Sequence, residues 1–153
     1  LVISPDRAVL ARASDLGART LRQRSKGLRA GLSEARDDVA AGGADAVLVL
    51  PIDLPFVTME AVDAVLDALF ASEDPTVVLV TDRHGTGTNA LALRPPDVID
   101  FAFGPGSRAA HRALAEAAGV RYVELESTLA MDLDTPEDLV LIGSTDPERL
   151  VVG

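Results

Sequence analysis

The chain has no cysteine and no tryptophan, and its 153 residues include one tyrosine, four phenylalanines and two histidines. Without thiols, disulfide scaffolds, thiolate metal centres and cysteine nucleophiles are excluded, and His84 and His111 alone argue against a zinc site. No apolar run approaches the roughly 20 residues that a membrane-spanning helix needs, and the longest apolar stretches have the length of strands. Positive charge is also scarce. Fourteen Lys and Arg, of which Lys26 is the sole lysine, stand against 24 Asp and Glu, for a formal charge of −10. The average field of such a surface repels nucleic acids and anionic membranes, so neither is an expected partner. No signal peptide is legible, and a cytoplasmic location is expected. Any anionic ligand would need local attraction, from glycine-rich backbone N–H groups, helix N-termini or a divalent cation held by surplus carboxylates.

What the chain does have is apolar content of 48%, enough for one core, and an alternation of strand-like and helix-like segments. "LVIS" reads as a strand running into a helix over residues 6–16, and an extended piece follows near residues 19–23. A helix is predicted over 28–41, a strand at 46–51, and a helix over 59–71 with Thr58 as N-cap. Further strands are predicted at "TVVLV" (76–80) and "NALALR" (89–94). Ser107 opens "SRAAHRALAEAAG", a helix that Gly119 ends. "RYVEL" and "AMDLD" read as short extended pieces, and "DTPEDL" starts a last helix at Thr135. Alternating buried strands and helices predict a layered α/β sheet, mostly parallel, with ligand loops at the carboxyl ends of the strands. No internal repeat or low-complexity linker interrupts it. Because the chain opens without methionine and directly on a strand, truncation at the N-terminus is expected.

Four segments that follow strands are chemically unusual. In "PIDLP" (51–55) Asp53 stands between two prolines that restrict its backbone; it is either a turn acid or a ligand. "DRHGTGTNAL" (82–91) alternates glycine and threonine, which suits a tight hairpin or a concavity of N–H groups for an anion. It is not a P-loop, since the lysine and the following helix are missing. "FGPGS" (103–107) leads into a helix whose first N–H groups lack partners; Ser107 either caps that helix or joins an anion site. In "MDLDTPEDL" (131–139) Asp132 and Asp134, two apart, would share one face of an extended segment, as a Mg²⁺ site needs. The plainer alternative is that Asp134 starts the last helix and Asp132 is solvated. His111 lies one helical turn after Ser107 and could reach a phosphate, although a packed helix histidine is the simpler expectation.

Taken in this order, "PIDLP", "DRHGTGTNAL", "FGPGSRAAH" and "MDLDTPEDL" resemble the CofC family of guanylyltransferases, which make the phosphoester-guanylate precursor of the deazaflavin coenzyme F-420. The resemblance runs from about Leu28 to Leu139. It implies a three-layer GT-A-like, Rossmann-like nucleotidyltransferase fold over residues 1–143, with 144–153 as a tail and one or two N-terminal βα units missing. It also implies transfer of GMP from GTP to a small phosphorylated acid (phosphoenolpyruvate, 2-phospho-L-lactate or 3-phosphoglycerate), with pyrophosphate leaving. On this resemblance Thr88, Gly104 and Ser107, with Gly87 of the same hairpin, would hold the acceptor's phosphate and carboxylate. Asp53 and Asp132 would be the catalytic ligands of Mg²⁺, with Asp134 as a third. The family's leucine–asparagine pair is here Leu28-Arg29. Two other readings are carried alongside: another GT-A nucleotidyltransferase, of molybdopterin or sugar-phosphate type, and a non-catalytic phospho-ligand binding fragment. The sequence is compatible with a homodimer.

Overall fold

The computed structural model describes residues 1–132 of the chain. Strand β1 (Val2–Ser4), helix α1 (Arg7–Asp15) and strand β2 (Thr20–Arg22) form a small unit in which β1 and β2 pair in parallel. Asp6 caps α1 by accepting from Ala8 N at 2.7 Å. Helix α2 (Leu28–Ala41) follows, entered through Gly27 at φ 89°. Its interior Gly31 is required by crowding rather than by φ, since a Cβ there would lie 2.6 Å from the Gln23 side chain. Gln23 in turn donates to the carbonyls of Ser25 and Gly27 at 2.9 Å each. Glu34 accepts from Arg24 N and Ser25 N at 2.9 and 2.6 Å, so the turn into α2 is tied back onto the helix it starts.

The rest of the described chain builds the main sheet. Strand β3 (Val47–Val49), helix α3 (Met59–Phe70), β4 (Thr76–Val80), β5 (Ala90–Arg94), helix α4 (Ser107–Ala118) and β6 (Arg121–Glu124) follow in order, and a 3-10 turn, Thr128–Ala130, closes the series. Spatial order is β3-β5-β4-β6. β4 and β6 pair in parallel, whereas β5 is antiparallel to both β3 and β4. Three of these four strands therefore share a direction. β5 is reversed because only the loop 81–89 joins it to β4, and that is too short for a crossover.

Alternation along the two central strands divides the core. Val78, Val80, Ala90 and Ala92 face one way, against Val65 and Leu69 of α3 and against Leu54 and Leu129. Val77, Leu79, Leu91 and Leu93 face the other way, against Ala115 of α4, Ile99, Phe101 and partly buried Leu32 of α2. This is the expected three-layer arrangement. Because both faces are covered, β4 and β5 read as unbroken apolar runs instead of alternating ones.

Thr58 caps α3 as expected, accepting from Ala61 N at 3.2 Å, and Gly119 ends α4 at φ 68°. One expectation is corrected: "AMDLD" does not begin extended, because Ala130 closes the 3-10 turn, and the backbone becomes extended at Met131, with φ −92° and ψ 116°. Asp134, the helix expected from Thr135 and the boundary at 143 lie outside the described residues.

Leu79, fully buried between β5 and the α4 layer, has no solvent into which a truncation could relax. Leu79→Ala is expected to lower unfolding stability by about 2–5 kcal/mol, read from the urea midpoint at unchanged slope. A loss under about 1 kcal/mol would show that this layer repacks freely.

Candidate active site

The loop between β4 and β5 is organised by an acid that sequence reasoning passed over. Asp82 accepts from Thr86 N at 2.8 Å, and from the hydroxyls of Thr81 at 3.3 Å and Thr86 at 3.4 Å. Burial alone would raise its pKa, but bonds from the Gly87 and Thr86 amides and the Thr81 hydroxyl outweigh this and hold the carboxyl below its ordinary value. The two glycines serve different needs. Gly85 takes φ 71°, whereas Gly87 is needed for close approach, since a Cβ there would stand 2.7 Å from Asp82 Oδ2. Asn89 N donates to Val80 O at 2.9 Å and closes the hairpin.

This hairpin is fastened to α4. Arg108 N donates to Thr86 O at 3.2 Å, and its guanidinium donates to Gly85 O at 3.0 Å while pairing with Glu124 at 2.7 Å. Glu124 also accepts from the Tyr122 hydroxyl at 2.8 Å. The Arg108 bonds hold the Glu124 carboxyl below the usual range against the opposing effect of burial.

The start of α4 differs from the sequence reading in one respect. Ser107 is not the cap: Gly106, at φ 71°, occupies that position, and no side chain caps the helix. The Ser107 hydroxyl instead turns inward and donates to Thr88 Oγ1 at 3.0 Å, both residues being buried. His111, one turn on, is fully buried, with Nδ1 3.1 Å from Thr88 Oγ1 and Nε2 accepting from Ala102 N at 2.9 Å. Burial, helped by the nearby Arg29 charge, pushes its pKa down to about 4, so it is neutral near pH 7. Arg29, in the first turn of α2, donates through Nε to Phe103 O at 2.7 Å and lies beside Gly104, which has φ 128°.

Neither α2 nor α4 has a side-chain cap or an acid in its first turn, whereas Asp6 and Thr58 cap α1 and α3. Partial positive charge is therefore left at Leu28, where α2 meets the cleft, whereas at the start of α4 the Ser107 and Arg108 amides donate to the carbonyls of Gly104 and Thr86.

The acids lie on the other side of the sheet edge. Thr128 Oγ1 donates to Phe56 O at 3.2 Å, linking the 3-10 turn to the loop that carries Asp53. Asn89 Nδ2 donates to Leu129 O and Ala130 O at 3.1 Å each, just before Asp132. Asp53 Oδ1 is buried and has no hydrogen-bond partner among the described residues. Among the described residues no group of three or more His, Asp or Glu converges as a metal cage.

A cleft of about 290 Å³ gathers these parts. Gly87, Thr88, Gly104, Ser107 and Asp132 all line it, along with Asp82, Asn89 and apolar Leu28, Leu32 and Phe103. Asp53 is not among its walls although Pro51 of the same loop is, and Asp134 lies outside the described residues. Exposed His84 is not a wall residue; its ring accepts from Arg83 Nε at 3.2 Å. Asp82, Asn89 and Arg29 are the participants that sequence reasoning missed. Asp82, placed four residues ahead of Thr86 in a glycine-rich turn, offered a signal; the reach of Asn89 to Leu129 offered none.

Comparison with known proteins matches this architecture. The family described as "Guanylyl transferase CofC like" matches residues 1–145. Proteins named phosphoenolpyruvate guanylyltransferase in Sphaerobacter thermophilus and Rubrobacter xylanophilus are 45% and 48% identical over 140 residues, 91% of this chain and 66% and 67% of theirs. A protein named 2-phospho-L-lactate guanylyltransferase in a Methanocaldococcus species is 30% identical over 141 residues, 91% of this chain and 59% of its own. The chain thus spans about two thirds, or less, of the length of these curated relatives. Among solved structures, one described as a nucleotide-diphospho-sugar transferase from Desulfovibrio desulfuricans superposes with TM-score 0.71 at 18% identity, over 95% of this chain and 66% of its own. Molybdopterin-guanine dinucleotide biosynthesis protein A from Archaeoglobus fulgidus superposes with TM-score 0.53 at 16% identity, over 94% and 78%. At those identities the structures show a shared α/β fold.

Two outcomes follow from the site's geometry. Asn89→Ala leaves two carbonyls beside Asp132 without their donor and should lower stability by about 1–3 kcal/mol in urea titration. A folded pKa below the unfolded one makes Asp82 contribute stability that is complete above 3.8 and is lost as pH falls through the lower folded value. Between about pH 4.5 and 2.5, the wild type should therefore lose more unfolding free energy than Asp82→Asn. Parallel curves for the two would remove Asp82 from the hairpin's support.

Proposed function

Since the chain belongs to the CofC-like guanylyl transferase family, we propose that it is part of an enzyme that moves GMP from GTP to a small phosphorylated carboxylic acid, with phosphoenolpyruvate as the first acceptor to test. 2-Phospho-L-lactate and 3-phosphoglycerate are the alternatives in the same chemical class. The observation that carries the reading is the meeting of two hydroxyls, Thr88 and Ser107, and Gly104 beside the uncapped start of α2, with Asp132 in the same cleft. That combination suits a ligand with both phosphate and carboxylate groups in a protein whose net charge would otherwise repel it. Partners are then GTP and the phospho-acid, in the cytoplasm and toward coenzyme F-420.

The chemistry requires little of the side chains beyond positioning. An oxygen of the acceptor's phosphate forms a bond to the α-phosphorus of GTP while the bond from that phosphorus to the β-bridging oxygen breaks, and pyrophosphate leaves. The attacking phosphate is already anionic, so no general base is needed. Thr88, Ser107 and the amide of Gly104 orient it, and Leu28, Leu32 and Phe103 exclude water from one wall.

Mg²⁺ fits the residues present. The buried, unpartnered Oδ1 of Asp53 is the kind of oxygen a cation would satisfy, and Asp132 stands in the cleft wall. A pair of carboxylates completed by substrate phosphates is an ordinary Mg²⁺ environment. Asp53 and Asp132 would hold the ion, with Asp134 as a third ligand, and it would supply charge neutralisation at the phosphates.

The test is pyrophosphate release by the full gene product with GTP, Mg²⁺ and each phospho-acid in turn. Release is expected with phosphoenolpyruvate, and no release with any of the three would overturn the reading. Asp132→Asn should lower turnover by roughly 100-fold or more, because charge neutralisation at phosphate is worth several kcal/mol. Full activity in that variant would remove Asp132 from the metal site.

A further inference from the structure

His111 does not border the cleft, yet its ring touches both loops that do. We infer that His111 is a positioning residue: it polarises the Thr88–Ser107 hydroxyl pair so that one hydroxyl proton is always offered to the cleft, which favours a ligand atom that accepts. The inference rests on the guanylyl-transfer reading for the identity of that ligand, a carboxylate or phosphate oxygen of the acceptor.

The bonding fixes the direction. Ala102 N–H donates to Nε2 at 2.9 Å, so Nε2 carries no proton and the neutral ring bears its proton on Nδ1. That Nδ1–H donates to Thr88 Oγ1, 3.1 Å away. Ser107 Oγ donates to the same oxygen at 3.0 Å. Thr88 Oγ1 then accepts twice, and its own proton has no acceptor among the described residues. If the two hydroxyls exchange roles, Thr88 donates to Ser107 and the free proton is on Ser107 instead. Both residues line the cleft, so in either arrangement the chain of donors ends there. A ring with its proton on Nε2 would clash with Ala102 N–H and turn Thr88 into the donor toward His111, reversing the chain.

The setting holds the ring in this role. Phe103 stands edge-on to it, with centroids 5.0 Å apart and planes at 74°. Among the described residues no carboxylate bonds to the ring, and the charge that bears on it is Arg29, which disfavours the imidazolium. Because Ala102 belongs to the loop leading to Gly104 and Thr88 to the hairpin, the ring also couples the two ligand segments.

The experiment separates the two ends of the ring. Long-range ¹H–¹⁵N spectra of the wild-type protein, without ligand near pH 7, should show His111 as the Nδ1–H tautomer. Steady-state kinetics with phosphoenolpyruvate and GTP would then compare two variants. In His111→Asn the amide N–H lies where Nδ1–H was, and in His111→Gln the amide oxygen lies where Nε2 was. Loss of a donor to an anionic ligand's partner group is expected to raise the acceptor KM by roughly tenfold in His111→Gln, with the GTP KM unchanged and His111→Asn closer to wild type. The Nε2–H tautomer, the imidazolium, or equal acceptor KM values for the two variants would overturn the inference. If the wild type releases no pyrophosphate with any phospho-acid, the guanylyl-transfer reading fails and the tautomer decides the positioning role by itself.

Discussion

Two consecutive side chains, Thr88 and Asn89, hold the site together by reaching to opposite sides of the sheet edge just before β5 begins. Thr88 turns toward the α4 layer and receives the bonds of His111 and Ser107. Asn89 turns toward the α3 layer and holds the carbonyls of Leu129 and Ala130. One loop end thereby joins the hydroxyl wall of the cleft to the segment bearing Asp132. The reversal of β5 within a sheet whose other three strands run together makes this possible, since only a hairpin delivers both residues at the edge between the layers.

The charge distribution follows the same economy. A surface with formal charge −10 offers no general attraction for anions, and the cleft has acids of its own in Asp82 and Asp132. Asp82 is neutralised in effect by the amides it accepts from, so it serves as a scaffold for the hairpin. What remains for an anion is local: the uncapped start of α2, and Arg29 beside Gly104. Arg29 takes part in this by bonding to the Phe103 carbonyl. Its charge also favours the neutral His111 ring.

Most of the element order was legible from sequence alone. Periodicity and caps located α2 at Leu28–Ala41, the Thr58 cap and β4 at Thr76–Val80, because helix starts and fully buried strands carry local chemical signatures. The ordered set of four segments also identified the family, since each is uncommon and their sequence together is more so. The hydroxyl and glycine residues expected to share a site, Gly87, Thr88, Gly104 and Ser107, do line one cleft with Asp132.

Other features depended on contacts that leave no local trace. Whether "DRHGTGTNAL" was a turn or a ligand cradle was a false choice: it is a hairpin, and Asp82 shapes that hairpin into a cleft wall. Ser107 was read with a cap as one option, but the left-handed Gly106 takes the cap position and frees the hydroxyl for Thr88. A cap is decided over three residues and can be read in sequence, whereas the acceptor of a buried hydroxyl is decided by whatever strand packs across from it. The sequence by itself determined the elements, their order and the family. Tertiary packing alone decided the partners of Thr88, Asn89 and His111, because those bonds span 9 to 41 residues and no local pattern encodes them.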